Sequence, residues 1–271
     1  MQLPGLAVAG GRLLAAGGLD AADASVAGVV AVAGTGVSAP RVVATLPQAV
    51  HDVGAAGLEG RLLVFGGGTA SGPTAAVEAV GAGGRVSTAG ELPSPSSDLE
   101  AARIGSNVYL VGGYTGSVPL RSILAFAPGR SVRTVGTLPH PLRYAAVAAV
   151  GGRLLIAGGT DGTHARSEIV SFDPATGRAR VVGALPVPLA HAAGASLGGT
   201  FYVLGGRGDG LSSQRREILA IDPQSGPVRS AGRLPVALSD LSAAAFGGRV
   251  WVVGGRDTAG TVQDEAWALR R

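Results

Sequence analysis

A glycine pair closes a short apolar run six times along the chain. The first glycines of these pairs are Gly17, Gly66, Gly112, Gly158, Gly205 and Gly254, and the successive gaps are 49, 46, 46, 47 and 49 residues. A period in this range is typical of a solenoid or a propeller, in which each unit buries its hydrophobic faces only against its neighbours. The spacing therefore predicts six stacked units in one domain that spans residues 1–271.

A leucine–proline pair marks the other half of the repeat. Its prolines are Pro47, Pro93, Pro139, Pro186 and Pro235, and each lies 19 residues before the next glycine pair. The stretch from a glycine pair to the following proline varies between 27 and 30 residues. One half of the repeat is thus constant in length, and the variable half is expected to carry surface loops.

Each repeat has the pattern of four short strands. The apolar runs AAVAAV at 145–150 and RLLIAGG at 153–159 are joined by two glycines, which supply the positive φ angles that a tight hairpin needs. The runs SEIVSF at 167–172 and RARVVGALP at 178–186 flank a DPATG turn. No segment has a helical period, and four antiparallel strands in 46–49 residues are typical of one propeller blade.

Composition excludes several classes of function. The 271 residues include no cysteine, which excludes disulfides, thiolate metal sites and a cysteine nucleophile. All 22 basic residues are arginines, a usage typical of GC-rich coding sequences, and they are scattered over many strands with few aromatic residues. We therefore expect no nucleic-acid partner. The sequence lacks a P-loop, a complete dinucleotide fingerprint and an H-E-x-x-H motif, so we assign no catalytic residue, cofactor or metal.

Two features bear on the cellular compartment. No stretch of about 18 residues is apolar enough to span a bilayer, so we expect no transmembrane segment. The opening residues MQLPGLAVAGG lack the basic region of a signal peptide. We favour an extracytoplasmic location, secreted or periplasmic.

The chain resembles the kelch-repeat β-propellers, among them bacterial kelch-repeat proteins and the central domain of galactose oxidase. The resemblance rests on the glycine pair after the second strand, the GGR–apolar–GG hairpin and the FDP-x-TG turn at 172–177, and it extends over essentially the whole chain. The fourth strands depart from the pattern because they lack the tryptophan that many kelch repeats carry. The resemblance implies an all-β, six-bladed propeller of four-stranded antiparallel blades.

The last repeat is expected to lack its fourth strand. Residues 264–271, DEAWALRR, match the third strand of a blade, and the sequence then ends. Aligning Gly11 with Gly152 places Met1 opposite Leu142, so the QLP at 2–4 is not the leucine–proline marker. We therefore expect a three-stranded sixth blade with an edge open to pairing with another chain, and we expect residues upstream of Met1, where they exist, to complete it.

Equivalent positions in the repeats predict a ring of residues at the mouth of the central channel. The residues five positions after each proline, with the first-repeat equivalent placed by alignment, are Leu3, Asp52, Asp98, Tyr144, His191 and Asp240. Their polarity is explained either by a hydrated channel or by a pocket for a small molecule or ion. We select the five polar residues of this set, together with Arg143 directly before Tyr144, as candidate ligand-binding residues: Asp52, Asp98, Arg143, Tyr144, His191 and Asp240.

In a four-stranded meander, the loops that follow the glycine pairs lie on the same face of the propeller as the segments that follow the prolines. They supply a candidate partner-binding rim of mixed charge, formed by Tyr114, Asp161, Arg207 and Arg256. The RGD at 207–209 is interpreted as a chance tripeptide in a chain rich in arginine and glycine.

These features favour a non-catalytic binding scaffold that docks a protein or carbohydrate partner on this face. The alternative is a sugar-acid mutarotase or epimerase, because sialic-acid mutarotases are also kelch propellers and their reaction needs only acid–base groups such as the channel Asp and His residues. A copper radical oxidase similar to galactose oxidase is excluded because it requires a cysteine.

Overall fold

Six antiparallel sheets follow one another along the chain, one for each repeat. The computed structural model describes residues 1–34, 36–223 and 227–269. Blade one consists of β1 (Gly5–Ala9), β2 (Arg12–Ala16), β3 (Val26–Gly34) and β4 (Arg41–Val50). Blade two consists of β5 (Gly54–Leu58), β6 (Arg61–Phe65), β9 (Ala76–Val80) and β10 (Val86–Glu91), with a small hairpin of β7 (Gly68–Thr69) and β8 (Gly72–Pro73) and a 3-10 turn at Ala82–Gly84.

The remaining blades repeat the same order. Blade three consists of β11 (Glu100–Ile104), β12 (Asn107–Val111), β13 (Ser122–Phe126) and β14 (Arg133–Thr137). Blade four consists of β15 (Ala146–Val150), β16 (Arg153–Ala157), β17 (Glu168–Asp173) and β18 (Arg178–Ala184). Blade five consists of β19 (Ala193–Leu197), β20 (Thr200–Leu204), β21 (Arg215–Ile221) and β22 (Val228–Leu238). Blade six consists of β23 (Ser242–Phe246), β24 (Arg249–Val253) and β25 (Ala266–Leu269).

The fold class predicted from the repeat is confirmed. The blades are four-stranded meanders except for blade six, which has three strands within the described ranges. The predicted hairpin turn at Gly151 and Gly152 has φ angles of 57° and 77°, the left-handed conformation that favours glycine. No helix in the described ranges has the length and apolar content needed to cross a membrane.

The hydrophobic core lies between adjacent blades. Each sheet packs its apolar faces on its two neighbours, and the largest fully buried side chains are Phe65, Phe172 and Phe201. Phe65 of blade two meets Phe126 of blade three edge to face, with ring centroids 5.4 Å apart. Because every core is shared by two blades, we propose that residues 1–271 fold as one domain.

The glycine pairs hold the chain that leads into the next blade. In blade five the amide of Gly206 donates to the carbonyl of Leu238 at 2.8 Å, and a Cβ on Gly205 would lie 2.5 Å from that same oxygen. The equivalent bond joins the second glycine of every pair to its carbonyl, at 2.8–3.0 Å. The repeated pair is therefore explained by one contact, in which the second glycine donates and the first leaves room for the acceptor.

The ring closes between blades six and one. The amide of Gly255 donates to the carbonyl of Met1 at 3.0 Å, which is the bond that Gly113 makes with Leu142 in blade three. The predicted alignment of Met1 with Leu142 is thus confirmed. The Met1 ammonium donates to the carbonyl of Gln263 at 2.7 Å, and Ser242 Oγ donates to the carbonyl of Pro4 at 2.5 Å.

Candidate functional site

The six predicted mouth residues form a closed circle of backbone hydrogen bonds. Each amide donates to the carbonyl of the equivalent residue in the preceding blade, and the distances run from 2.7 to 3.3 Å. The circle closes where Leu3 donates to Asp240. We call this set the mouth ring; its members are Leu3, Asp52, Asp98, Tyr144, His191 and Asp240.

All six members of the mouth ring have left-handed backbone, with φ between 53° and 61°. Aspartate and histidine enter this region more readily than most residues, whereas leucine and tyrosine enter it rarely. The backbone therefore accounts in part for the three aspartates and the histidine. Strained backbone of this kind occurs often at functional sites.

Blades two, three and four contribute one polar cluster at the ring. Arg143 Nε and Asp98 Oδ2 lie 2.7 Å apart as an ion pair, although they lack the alignment of a hydrogen bond. Arg143 also donates to the Tyr144 hydroxyl at 3.0 Å, and that hydroxyl makes a long hydrogen bond of 3.4 Å to Asp52 Oδ2. Asp52 Oδ1 is buried and has no hydrogen-bond partner among the described residues.

Burial changes the acidity of these carboxyls. It raises the pKa of Asp52 well above the ordinary range, and the charges of Asp98 and Asp240 raise it further against the opposing effect of Arg143. Burial also raises the pKa of Asp98, and here the charge of Arg143 opposes the change. Both carboxyls therefore hold a proton to higher pH than an exposed aspartate does.

Blades five and six contribute a second cluster, centred on His191. Its Nδ1 lies 2.6 Å from Asp240 Oδ1, and Arg207 Nη2 lies 2.9 Å from its Nε2. A guanidinium only donates, so we assign Nε2 as the acceptor and place the ring proton on Nδ1, facing Asp240. Ser239 Oγ donates to the other oxygen of Asp240 at 2.5 Å.

A stacking contact joins the two clusters, and the groups around Asp240 set its pKa. The Tyr144 ring stacks on the His191 imidazole with centroids 3.8 Å apart. Burial alone would raise the pKa of Asp240, but the hydrogen bond from His191, the Ser239 hydroxyl and the charge of Arg207 outweigh it and lower the pKa. The six candidate residues Asp52, Asp98, Arg143, Tyr144, His191 and Asp240 therefore lie in one connected network.

The candidate rim residues surround the ring, but they do not all occupy the same position of the repeat. The residue directly after each glycine pair forms an isolated bridge with the residue before the mouth ring, and Tyr114, Arg207 and Arg256 occupy this position. In blade four the position belongs to Thr160, so Asp161 lies one residue further out. Asp161 accepts from the amides of Thr163 and His164 and from Arg166, which lowers its pKa to about 2 and makes it part of its own turn.

Each of the other three rim residues contacts a mouth-ring residue or the residue directly before one. The Arg143 guanidinium lies over the Tyr114 ring, 4.2 Å from its centroid. Arg256 donates to the Gln2 side chain at 2.9 Å and pairs with Asp23. Ring and rim thus form one surface, which we call the loop face, made of the segments that follow the glycine pairs and the prolines.

A pocket of about 310 Å³ opens on the loop face between blades four and five. Its polar lining comes from the ring and the rim together: Arg143, Tyr144, Thr160, His191, Arg207 and Asp209. No group of three or more His, Asp or Glu residues within the described ranges is placed to hold a metal ion. The polar groups that line the pocket are guanidinium, hydroxyl, imidazole and carboxylate groups.

Comparison with known families adds one match. The Kelch motif family matches residues 141–178, which run from the segment before the mouth ring of blade four to the start of β18. The other five repeats share the glycine-pair contact and the left-handed ring residue of this one. The match in blade four and the six-bladed fold together support a kelch-repeat propeller. No curated protein matches this chain. A bacterial origin, carbohydrate binding and a particular likeness to galactose oxidase stay predictions.

The propeller also contains a carboxyl that the sequence comparison missed. Glu100 opens β11, two residues after Asp98, where the other five blades have Gly5, Gly54, Ala146, Ala193 and Ser242. Burial raises its pKa to about 8. The signal was available in the sequence, because Glu100 is the one large side chain at that position of the repeat.

Proposed function

We propose that this kelch propeller is a non-catalytic binding scaffold whose partner, a protein or a carbohydrate, docks on the loop face through a carboxylate. Kelch propellers are commonly protein-binding scaffolds, which supports the first part. The observation that carries the second is the pair of guanidiniums, Arg143 and Arg207, at the pocket between blades four and five. A planar guanidinium matches a carboxylate in two parallel hydrogen bonds.

The hydrogen bonding at the ring favours binding over acid–base catalysis. Both nitrogens of His191 are engaged, one by Asp240 and the other by Arg207, so neither is turned toward a substrate. Asp98 is likewise paired with Arg143. A general base must be within reach of the proton that it abstracts, and these groups face each other instead.

The hydroxyls at the pocket suit either kind of partner. The Tyr144 hydroxyl and Thr160 line the pocket beside the two arginines. They offer donors and acceptors to the hydroxyls of a sugar acid or to the backbone next to an acidic side chain. D-Glucuronate and a short glutamate-rich peptide are therefore suitable probes for the two classes.

Replacing Arg207 with alanine is expected to weaken binding of the better of these two probes at least about tenfold, the effect of losing one charge-assisted hydrogen bond. Titration calorimetry measures the change in dissociation constant. Arg61→Ala is the matched control, because it removes the same charge from an exposed position next to the hairpin turn of blade two, on the opposite face. Equal affinity in wild type and Arg207→Ala, or an equal loss in both variants, would contradict the proposal.

A second candidate is the sugar-acid mutarotase, and one observation favours it. Asp52 is a buried carboxyl with a raised pKa and an unpartnered Oδ1, the state of a proton donor awaiting an acceptor. In mutarotation the ring oxygen takes a proton, the bond from C1 to that oxygen breaks, and the C1 hydroxyl loses its proton as the carbonyl forms. A substrate carboxylate that draws Arg207 away from His191 would free Nε2 to accept that second proton.

If this second candidate is right, catalytic amounts of the protein will accelerate anomer exchange in a panel of sugar acids. Exchange cross-peaks in two-dimensional NMR measure the rate. Asp52→Asn is expected to remove the acceleration, since the amide keeps the shape but cannot donate the acidic proton. Exchange at the uncatalysed rate across the panel would eliminate the mutarotase and leave the scaffold.

A further inference from the structure

A cavity of about 600 Å³ lies between blades four and five. It opens on the face opposite the loop face, because the hairpin turn at Gly151 contributes to its lining. Its inner wall is apolar and is formed by Leu155 and Ile169 of blade four and Ile221 of blade five. Small-molecule sites are typically concave, mostly apolar spaces of this volume with a few polar groups that orient the ligand.

The cavity exists where two aromatic side chains of the repeat are replaced by smaller ones. Between blades three and four, the rings of Tyr109 and Phe172 meet with their centroids 6.1 Å apart. The residues at the same two positions between blades four and five are Leu155 and Ile221. Between blades two and three, where Phe126 keeps its ring, the corresponding cavity measures only about 140 Å³. The space between blades four and five therefore has room for a flat ring.

A buried hydroxyl lines the same cavity. Ser171 is only 5 % exposed, and its hydroxyl makes no hydrogen bond to another residue within the described ranges. A buried polar group without a partner costs free energy, which a polar group of a ligand would recover. The serine is peculiar to blade four, because the other five blades have alanine at this position: Ala31, Ala79, Ala125, Ala220 and Ala268.

Two guanidinium groups lie at the mouth of the cavity. Arg180 is the cross-strand neighbour of Ser171, so the two side chains lie on the same face of the sheet. Arg180 is exposed, and its guanidinium has neither a hydrogen bond nor an ion pair with the part of the chain that the structure describes. Arg153 is held by Asp173, with Nη2 2.9 Å from Oδ2. Asp222 also lines the cavity and has an interaction of its own. Among the described residues, the charge left unpaired at the mouth is therefore positive.

We propose that this cavity binds an aromatic carboxylate. The ring lies between Leu155 and Ile221, in the space that aromatic side chains fill between blades three and four. The carboxylate points to the mouth, where it accepts hydrogen bonds from the Ser171 hydroxyl and the Arg180 guanidinium. These groups follow one another across the sheet, from Leu155 on β16 through Ser171 on β17 to Arg180 on β18, in the order that such a ligand requires. The site is separate from the loop face and does not rest on the function proposed there.

Titration calorimetry of the intact protein with 2-naphthoate and 2-naphthamide at neutral pH tests the proposal. The two probes share one ring system, and only the acid is charged. We expect the acid to bind saturably and at least about tenfold more tightly than the amide. Arg180→Ala should weaken the acid at least about tenfold and leave the amide unchanged. Ser171→Ala should weaken the acid about fivefold through the loss of one hydrogen bond. Ile221→Phe, which restores the ring found at this position in blade four, should remove binding of both probes.

Two arginine variants are matched controls. Arg133 is exposed and occupies in blade three the position that Arg180 occupies in blade four. Arg133→Ala should therefore bind 2-naphthoate as wild type does. Arg207→Ala removes a guanidinium from the loop face and should also leave the affinity unchanged. A thermal melt verifies that each variant is folded, and Ser171→Ala and Arg180→Ala decide the result if Ile221→Phe does not fold.

The proposal is wrong if 2-naphthoate does not bind wild type saturably, or if Arg180→Ala and Ile221→Phe both bind it as wild type does. Equal affinity of wild type for the acid and the amide would also overturn it, because the carboxylate would then not be recognised. A loss in Arg207→Ala as large as that in Arg180→Ala would place the acid on the loop face instead. The scaffold proposal is tested with other probes, D-glucuronate and the glutamate-rich peptide, so each proposal can fail without the other.

Discussion

Replacing Gly205 with alanine is expected to lower the free energy of unfolding by more than about 3 kcal/mol, the range of the most disruptive single substitutions. The new Cβ would lie 2.5 Å from the carbonyl oxygen of Leu238, a backbone atom that cannot turn aside. That oxygen is also the acceptor of the Gly206 amide, so moving it away breaks the bond that positions Ser239 and Asp240 at the mouth ring. Urea unfolding monitored by tryptophan fluorescence measures the loss.

Gly199→Ala separates this collision from simple backbone strain. Gly199 lies in the same blade and has a φ of +77°, but its Cβ position has no atom within 4 Å. Alanine there is expected to lower the free energy of unfolding only by the strain of left-handed backbone, about 1–2 kcal/mol. Equal losses at the two positions would show that the carbonyl contact has no part in stability. We also expect one cooperative transition in every variant if residues 1–271 form one domain.

Glu100→Gln is expected to stabilise the protein by about 3 kcal/mol at pH 9 and to leave it nearly unchanged at pH 4. Burial raises the pKa of Glu100 from 4.5 to about 8. Between these values the folded protein keeps a proton that the unfolded chain has released, so stability falls as the pH rises through this window. Glutamine stays neutral and removes this dependence. The figure allows for the partial exposure of the side chain, which weakens the effect of burial.

Unfolding curves collected from pH 4 to pH 9 on wild type and variant test this sign directly. The difference between the two proteins isolates Glu100 from Asp52 and Asp98, whose raised pKa values act in the same direction in both. Glu91→Gln, at an exposed position, should stay within about 0.5 kcal/mol of wild type at every pH. A variant less stable than wild type at pH 9 would mean that the Glu100 carboxylate is held by a favourable contact.

The repeat made the backbone of this propeller predictable, whereas the side-chain partners of the site were not. The glycine pair makes the same contact with a backbone carbonyl in every blade, so its spacing in the sequence predicts the number and size of the blades. The pairing of Asp98 with Arg143 and of His191 with Asp240 joins different blades and depends on side-chain reach, which a linear alignment does not contain. Asp161 lies one residue beyond the position that Tyr114, Arg207 and Arg256 share, because the rim residues were selected as loop residues and not by one fixed position of the repeat. Glu100 was missed because only two positions of each repeat were compared near the prolines.

The mouth ring has a consequence for how such a protein diversifies. Its six hydrogen bonds use main-chain atoms alone, so closure of the circle does not depend on which side chain each blade contributes. Each blade adds one side chain at the axis, and a substitution there alters recognition while the neighbouring blades stay in place. Six residues that lie 46–49 positions apart in the sequence are therefore neighbours at the protein surface. Selection can change these six side chains one at a time. The main limit is which residues tolerate left-handed backbone.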